Sequence, residues 1–244
     1  MARPETRVAD FTISEKLSQM AQKARAHAAR LLLAITATFT AEPLKESLGF
    51  WTKQMDLPAA ISFAPYHQVF QQLLDPDSLL NRNVAGLNVA LVRFADWQRS
   101  DPGPGSDPAT DKNVQDLIMA VKQSASLNTT PLLLVLCPSE HSKDHPVGTT
   151  SSFARMEETL VAGVAGISGV SVVTPAELSA LYPVSEIYDA SGDRLGHVPF
   201  TPVFFTALAT LIARKLHALR RPPCKVIALD CDNTLWTGVC GEEG

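Results

Sequence analysis

Short apolar runs separated by helical segments constrain this chain more than any other feature. Residues 31–35 (Leu-Leu-Leu-Ala-Ile), 87–92, 132–137 and 170–173 are too short for core helices and show no polar alternation. That is the pattern of strands covered on both faces. Residues 60–63 read as one more strand. Between these runs lie stretches of helical spacing at 43–55, 69–80 (broken at Asp75-Pro76), 112–126, 152–166 and 201–219. Pro43 suits a first helical turn. Thr174-Pro175-Ala176-Glu177 has a capping hydroxyl, a proline at the first position and an acid in the first turn. Phe204, Phe205 and Leu208 fall on one face of the last helix and are expected in the core. Leu17, Met20, Ala21, Ala24 and Ala28 predict a further helix over residues 13–30. Strands that alternate with helices cross over right-handedly, so the fold class is α/β: a five-stranded parallel sheet with helices on both faces, a three-layer sandwich.

Composition removes several function classes. Lys plus Arg number 21 against 25 Asp plus Glu, a net charge of −4, which supplies no basic face for nucleic acid. No apolar run approaches the roughly 18 residues that span a bilayer. Residues 1–10 are polar and lack a secretory core, so a cytoplasmic protein without membrane or nucleic-acid partners is expected. The four cysteines, Cys137, Cys224, Cys231 and Cys240, form no CxxC pair and suggest neither a disulfide framework nor a zinc site. Residues 101–111 (DPGPGSDPATD) and 138–150 (PSEHSKDHPVGTT) read as loops. His141 and His145 in the second loop lack a third ligand for a metal.

Open parallel sheets gather ligands at the carboxyl ends of their strands. The weight therefore falls on residues 36–42, 93–97, 137–141 and 230–236. Arg93 is either a fork for a phosphate or carboxylate or one half of a surface pair with Asp96. Tyr66-His67-Gln68 also follows a strand.

The sharpest motif lies near the C-terminus. Val226-Ile227-Ala228-Leu229 leads into Asp230-Cys231-Asp232-Asn233-Thr234-Leu235-Trp236. An apolar strand ending in Asp-x-Asp-x-Thr delivers two carboxylates to one side of its tip. Such a pair can hold a divalent cation through hard oxygen ligands, the kind Mg²⁺ prefers. One carboxylate can attack phosphorus while the metal offsets the repulsion between anions, and the second can protonate the leaving oxygen.

This segment resembles the nucleophile motif of the haloacid dehalogenase (HAD) superfamily. LDCDNTLWTGVCGEEG, with ITATFTAEPL, FAPYHQVFQQLLDP, LVRFADW and RLGHVPFTPVFF upstream, resembles the FkbH-like branch of polyketide and hybrid peptide–polyketide pathways. The resemblance implies removal of phosphate from a phosphorylated three-carbon substrate, 1,3-bisphosphoglycerate, and transfer of its glyceryl unit to an acyl carrier protein. It implies that Asp230 is a Mg²⁺ ligand and nucleophile. Asp232 would be the general acid/base and second metal contact, and Thr234 would hold the motif's loop against substrate. Cys231 is either the carrier of a glyceryl thioester or a small buried strand residue. Its thiolate, the reactive form, is disfavoured between two carboxylates unless Mg²⁺ offsets them. Gly244 follows the motif by a few residues, ahead of the Ser/Thr, Lys and further acids that a HAD site needs. A truncated chain or pathway fragment without phosphatase activity of its own is the expectation.

Residues 31–219 resemble the SGNH-hydrolase-like domain that precedes the HAD domain in this branch, a flavodoxin-like three-layer sandwich. The implied domain order is an N-terminal helix (1–30), the SGNH-like domain (31–219), a linker (220–223, Arg-Arg-Pro-Pro) and the first strand of a HAD Rossmann-like domain (224–244). SGNH enzymes place a nucleophilic Ser after the first strand, and here Thr38 stands there. Ala95-Asp96 replaces Asn-Asp, which removes an oxyanion donor, a loss of about 3 kcal/mol in transition-state stabilisation. His197, in Asp193-Arg194-Leu195-Gly196-His197, is one residue out of register with Asp-x-x-His. It is either a base on Thr38 or a hydrogen-bonded structural histidine. The pattern favours a domain that binds or positions substrate, with an SGNH-type esterase or acyltransferase using Thr38 and His197 as the alternative.

Overall fold

The computed structural model describes residues 31–100, 107–139, 149–221 and 229. The expected N-terminal helix at 13–30, and the C-terminal motif apart from Leu229, lie outside the described residues. So do His141 and His145.

The described residues form an α/β sandwich around a five-stranded, all-parallel sheet in the order β2-β1-β3-β4-β5. Its strands are β1 (Leu31–Ala37), β2 (Ala59–Phe63), β3 (Gly86–Val92), β4 (Leu132–Leu136) and β5 (Val170–Val173). The helices are α1 (Leu44–Gln54), α2 (Val69–Leu74), α3 (Ala95–Ser100), α4 (Asp107–Leu127), α5 (Thr149–Val164), α6 (Pro175–Leu181), α7 (Ala190–Gly196) and α8 (Pro202–Arg220).

Side-chain alternation along each strand splits the core in two. Leu33, Ile35, Leu87, Val89, Leu91, Leu133 and Val135 point to one face, where α1 and α8 cover them with Leu44, Leu48, Phe204, Phe205, Leu208 and Ile212. Ala34, Ala90, Val92, Leu132, Leu134 and Leu136 point to the other face, against α2, α4 and α5. Because both faces of the central strands are covered, the apolar runs of residues 31–35 and 132–136 are continuous, while the edge strands β2 and β5 stay partly exposed. Gly163 lets α5 come close to α4: a Cβ there would stand 2.4 Å from the Ile118 Cδ1.

Of the described helices, only α8 is long and apolar enough by length and composition to cross a bilayer. Half of that stretch is buried inside the fold. Its apolar face is the core face, so sheet packing accounts for its hydropathy.

Several boundaries differ from the sequence reading. The helix expected over 69–80 stops at Leu74 and continues as turns. Asn81 explains the stop, because its Nδ2 donates to the carbonyls of Gln72, Leu73 and Asp75 at 3.3, 3.1 and 2.8 Å. Those carbonyls would otherwise need the next helical turn. The loop expected over 101–111 ends earlier, since α4 begins at Asp107. Pro108 belongs to that first turn, where a missing N–H costs nothing. The short helices α3 and α7 were hidden because neither carries a long enough apolar stripe. The cap expected at Thr174 is present: its hydroxyl accepts from the Glu177 N–H, and Glu177 accepts from the Thr174 N–H.

The sheet's central pairing begins at a glycine. Gly86 has φ +128°, and a Cβ there would lie 2.2 Å from the Leu32 carbonyl oxygen. Leu32 is its register partner on β1. Gly86→Ala should therefore lower unfolding stability by about 3 kcal/mol, through backbone strain and displaced pairing. Chemical denaturation should read this as an earlier midpoint with an unchanged slope.

Candidate functional site

The strand order reverses direction between β1 and β3, and sheets of this kind gather ligands outside the carboxyl ends at such a point. The described residues from the sequence prediction converge there. β1 runs into Thr38, whose N–H donates to the Leu91 carbonyl at 3.0 Å. β3 runs into Arg93, and α3 carries Asp96.

Thr38 is 1% exposed. Its hydroxyl donates to Asp96 Oδ2 at 2.7 Å and accepts the Arg93 backbone N–H at 3.0 Å. Arg93 is equally enclosed, and its pair with Asp96, one of the two roles open from the sequence, is buried rather than at the surface. The Arg93 Nε donates to Asp96 Oδ1 at 2.9 Å, and Nη2 donates to the same oxygen. The far edge of the guanidinium meets Asp193 of α7. There Nη1 donates to Oδ2 at 3.0 Å and Nη2 to Oδ1 at 3.1 Å. The guanidinium also lies 6.0 Å from the centre of the Phe200 ring. Burial opposes the charge on Arg93, yet its hydrogen bonds and attraction to Asp96 and then Asp193 outweigh that and hold the guanidinium above its ordinary value.

Sequence reasoning placed Thr38, Arg93 and Asp96 near one another but missed Asp193 as the partner of Arg93. The available signal was the odd spacing of Asp193 and His197.

His197 is exposed and ends α7 in the left-handed region, at φ 54°. Its carbonyl accepts the Thr40 N–H at 2.9 Å, and the Thr40 hydroxyl donates to the Gly196 carbonyl at 2.7 Å. The ring stacks on Tyr66, with centroids 5.1 Å apart. His67, also left-handed at φ 60°, stacks on Tyr66 at 5.6 Å. Its Nδ1 donates to the Thr38 carbonyl at 3.2 Å. Two non-glycine residues at positive φ thus flank one tyrosine at the crevice, where strain is commonly stored at functional sites. Thr38 and His197 are joined through the backbone of Thr40, and the Thr38 hydroxyl is held by Asp96.

Two more groups stand at the same edge. The Ala95 N–H donates to Ser139 Oγ at 3.3 Å, which engages a backbone donor near the expected oxyanion position. Cys137, at the end of β4, is fully enclosed. Burial first, then the nearby Asp96, push its thiol above the usual range, which disfavours the reactive thiolate.

Among the described residues, no three His, Cys, Asp or Glu side chains gather as a metal would need. The two carboxylates at the crevice do not fit Mg²⁺, because a guanidinium stands between them.

No family model matches the chain. No curated protein matches it either. Among solved structures it is similar to the N-terminal part of the protein BF1531 from Bacteroides fragilis, a structure containing a phosphatase domain complexed with Mg. The TM-score is 0.68 at 17% identity, over 96% of this chain. This chain spans 64% of the length of that neighbour. At that identity the likeness establishes the fold, and the all-parallel sheet agrees with it.

Replacing Arg93 by Met should cost about 3–5 kcal/mol, because Asp96 and Asp193 would face each other in a buried site with no cation between them. A thermal melt at neutral pH should show that loss as a lower midpoint.

Proposed function

We propose that residues 31–221 form a substrate- or partner-positioning domain rather than a hydrolase, in front of phosphate chemistry carried by the Asp230 motif. The observation that supports this is the Thr38 hydroxyl, which is buried and committed to Asp96 and Arg93. A nucleophile needs a free hydroxyl within reach of its base and of an acyl carbon. Thr38 offers no open approach, and the His197 ring is engaged with Tyr66.

For the motif itself, the reading is an FkbH-like glyceryl transferase/phosphatase. Asp230 and Asp232 would hold Mg²⁺, which supplies charge neutralisation between anionic substrate and carboxylates. Asp230 would take up the phosphoryl group, Asp232 would move the proton at the leaving oxygen, and Thr234 would steady the loop. Cys231 would carry the glyceryl unit as a thioester on its way to an acyl carrier protein. Support comes from the motif's composition and from a structural neighbour described as containing a phosphatase domain with Mg.

Ester turnover tests the positioning reading. The protein should hydrolyse 4-nitrophenyl acetate no faster than buffer does, and Thr38→Ala should leave that background unchanged. Turnover that disappears in Thr38→Ala would establish the esterase alternative instead. A second measurement concerns the partner: an immobilised acyl carrier protein should retain the chain, and His197→Ala should weaken retention about tenfold by removing the ring that stacks on Tyr66. Equal retention of both forms would exclude this crevice as the contact.

A further inference from the structure

The segment that carries Asp193 is attached to the core rather than built into it. None of the α7 residues is buried. Its two ends are clamped together: Tyr188 and Phe200 form an antiparallel bridge, and the Asp189 N–H donates to the Pro199 carbonyl at 2.9 Å. The Thr201 N–H donates to the Ile187 carbonyl at 2.9 Å just below. The body of the segment meets the carboxyl edge largely through polar and ring contacts, the Arg93 ion pair, the Thr40 hydrogen bonds and the ring of His197 on Tyr66, with Val198 packed against the core. A closed neck with a polar-held body is the construction of a flap that lifts without disturbing the sheet.

What the flap inserts is informative. Arg93 shows two edges to two acids of different origin. Asp96 is three residues away and takes Nε and Nη2. Asp193 is a hundred residues away and takes the outer edge in a two-point arrangement, Nη1 to one oxygen and Nη2 to the other. That is the fork by which an arginine receives a free carboxylate or a phosphate.

We propose that the outer edge of Arg93 is an oxyanion-binding site for a phosphomonoester or carboxylate ligand, and that Asp193 occupies it as a built-in competitor which the ligand displaces. Exchange of one anion for another leaves the buried guanidinium neutralised, while Asp96 keeps it in place. The Thr38 hydroxyl remains on Asp96 throughout, so the floor of the site does not move. Ligand affinity is then lowered by the fraction of molecules in which the flap is closed. The inference rests on the crevice being a positioning site. Its test reads small-anion binding, so it can fail independently of carrier capture or ester turnover.

Calorimetric titration with inorganic phosphate, and separately with acetate, decides the matter. Asp193→Ala should bind one of the two at least about tenfold more tightly than the unaltered protein, since the competitor is gone. A gain for phosphate identifies a phosphoester site, and a gain for acetate alone identifies a carboxylate site. If a folded Asp193→Ala, verified by circular dichroism, gains affinity for neither anion, the proposal is wrong. Should that variant not fold, amide hydrogen exchange on the unaltered protein decides instead. Phosphate or acetate should then speed exchange at residues 190–197, and an unchanged pattern with both anions would refute the flap.

Discussion

A guanidinium enclosed at the end of a parallel strand has to be matched by anions that the fold itself supplies. Arg93 obtains one from the helix that follows it, Asp96, and one a hundred residues further along the chain, Asp193. The rest of the carboxyl edge is arranged around this requirement. Thr38 gives its hydroxyl to the free oxygen of Asp96 and receives the Arg93 N–H. Phe200 closes the site beneath the guanidinium, and Phe39 packs against Phe200 edge-on at 5.1 Å. In this way one charge ties β1, β3 and α7 together across the crevice where a sheet of this topology binds ligands. Breaking such a cluster is costlier than its net contribution suggests, because the penalty comes from the charge left behind.

The same cluster engages the groups that esterase chemistry would need. An esterase of this shape needs a hydroxyl that is exposed, a histidine that reaches it and donors for an oxyanion. Here the hydroxyl is buried, the histidine ring lies on Tyr66, and the N–H of Ala95 is engaged by Ser139. What stays exposed is the stack of Tyr66 with His67 and His197, together with the flap above Arg93.

The opposite end of the sheet has a different construction. Asn83 donates to the Leu32 carbonyl and to Asn88 Oδ1, while Asn128 Nδ2 donates to the carbonyls of Leu80, Asn81 and Asn83. Thr130 adds a hydroxyl bond to the Asn83 carbonyl. These side chains satisfy the backbone of the turns between α2 and β3, which would otherwise leave buried carbonyls without donors. The amino edge is thereby fixed by neutral amides and the carboxyl edge by charges.

Much of the fold was legible in the linear order of residues. Unbroken apolar runs can lie in a sheet only if both faces are covered, and their alternation with helical segments leaves a parallel, three-layer arrangement as the simple solution. The capping pattern at Thr174 and the core face carried by Phe204, Phe205 and Leu208 followed from local chemistry alone. The end of α2 was not legible, because the group that stops it, Asn81, acts from beyond the helix through hydrogen bonds that no periodicity records. The partner of Arg93 was hidden for the same reason at longer range. Local sequence determines which segments are strands and helices and which residues stand at strand ends, since these depend on spacing and on neighbours along the chain. Whether Arg93 faces solvent, a ligand or Asp193 was decided only when the tertiary fold carried an acid a hundred positions away to the same edge, because ion pairing depends on distance in space.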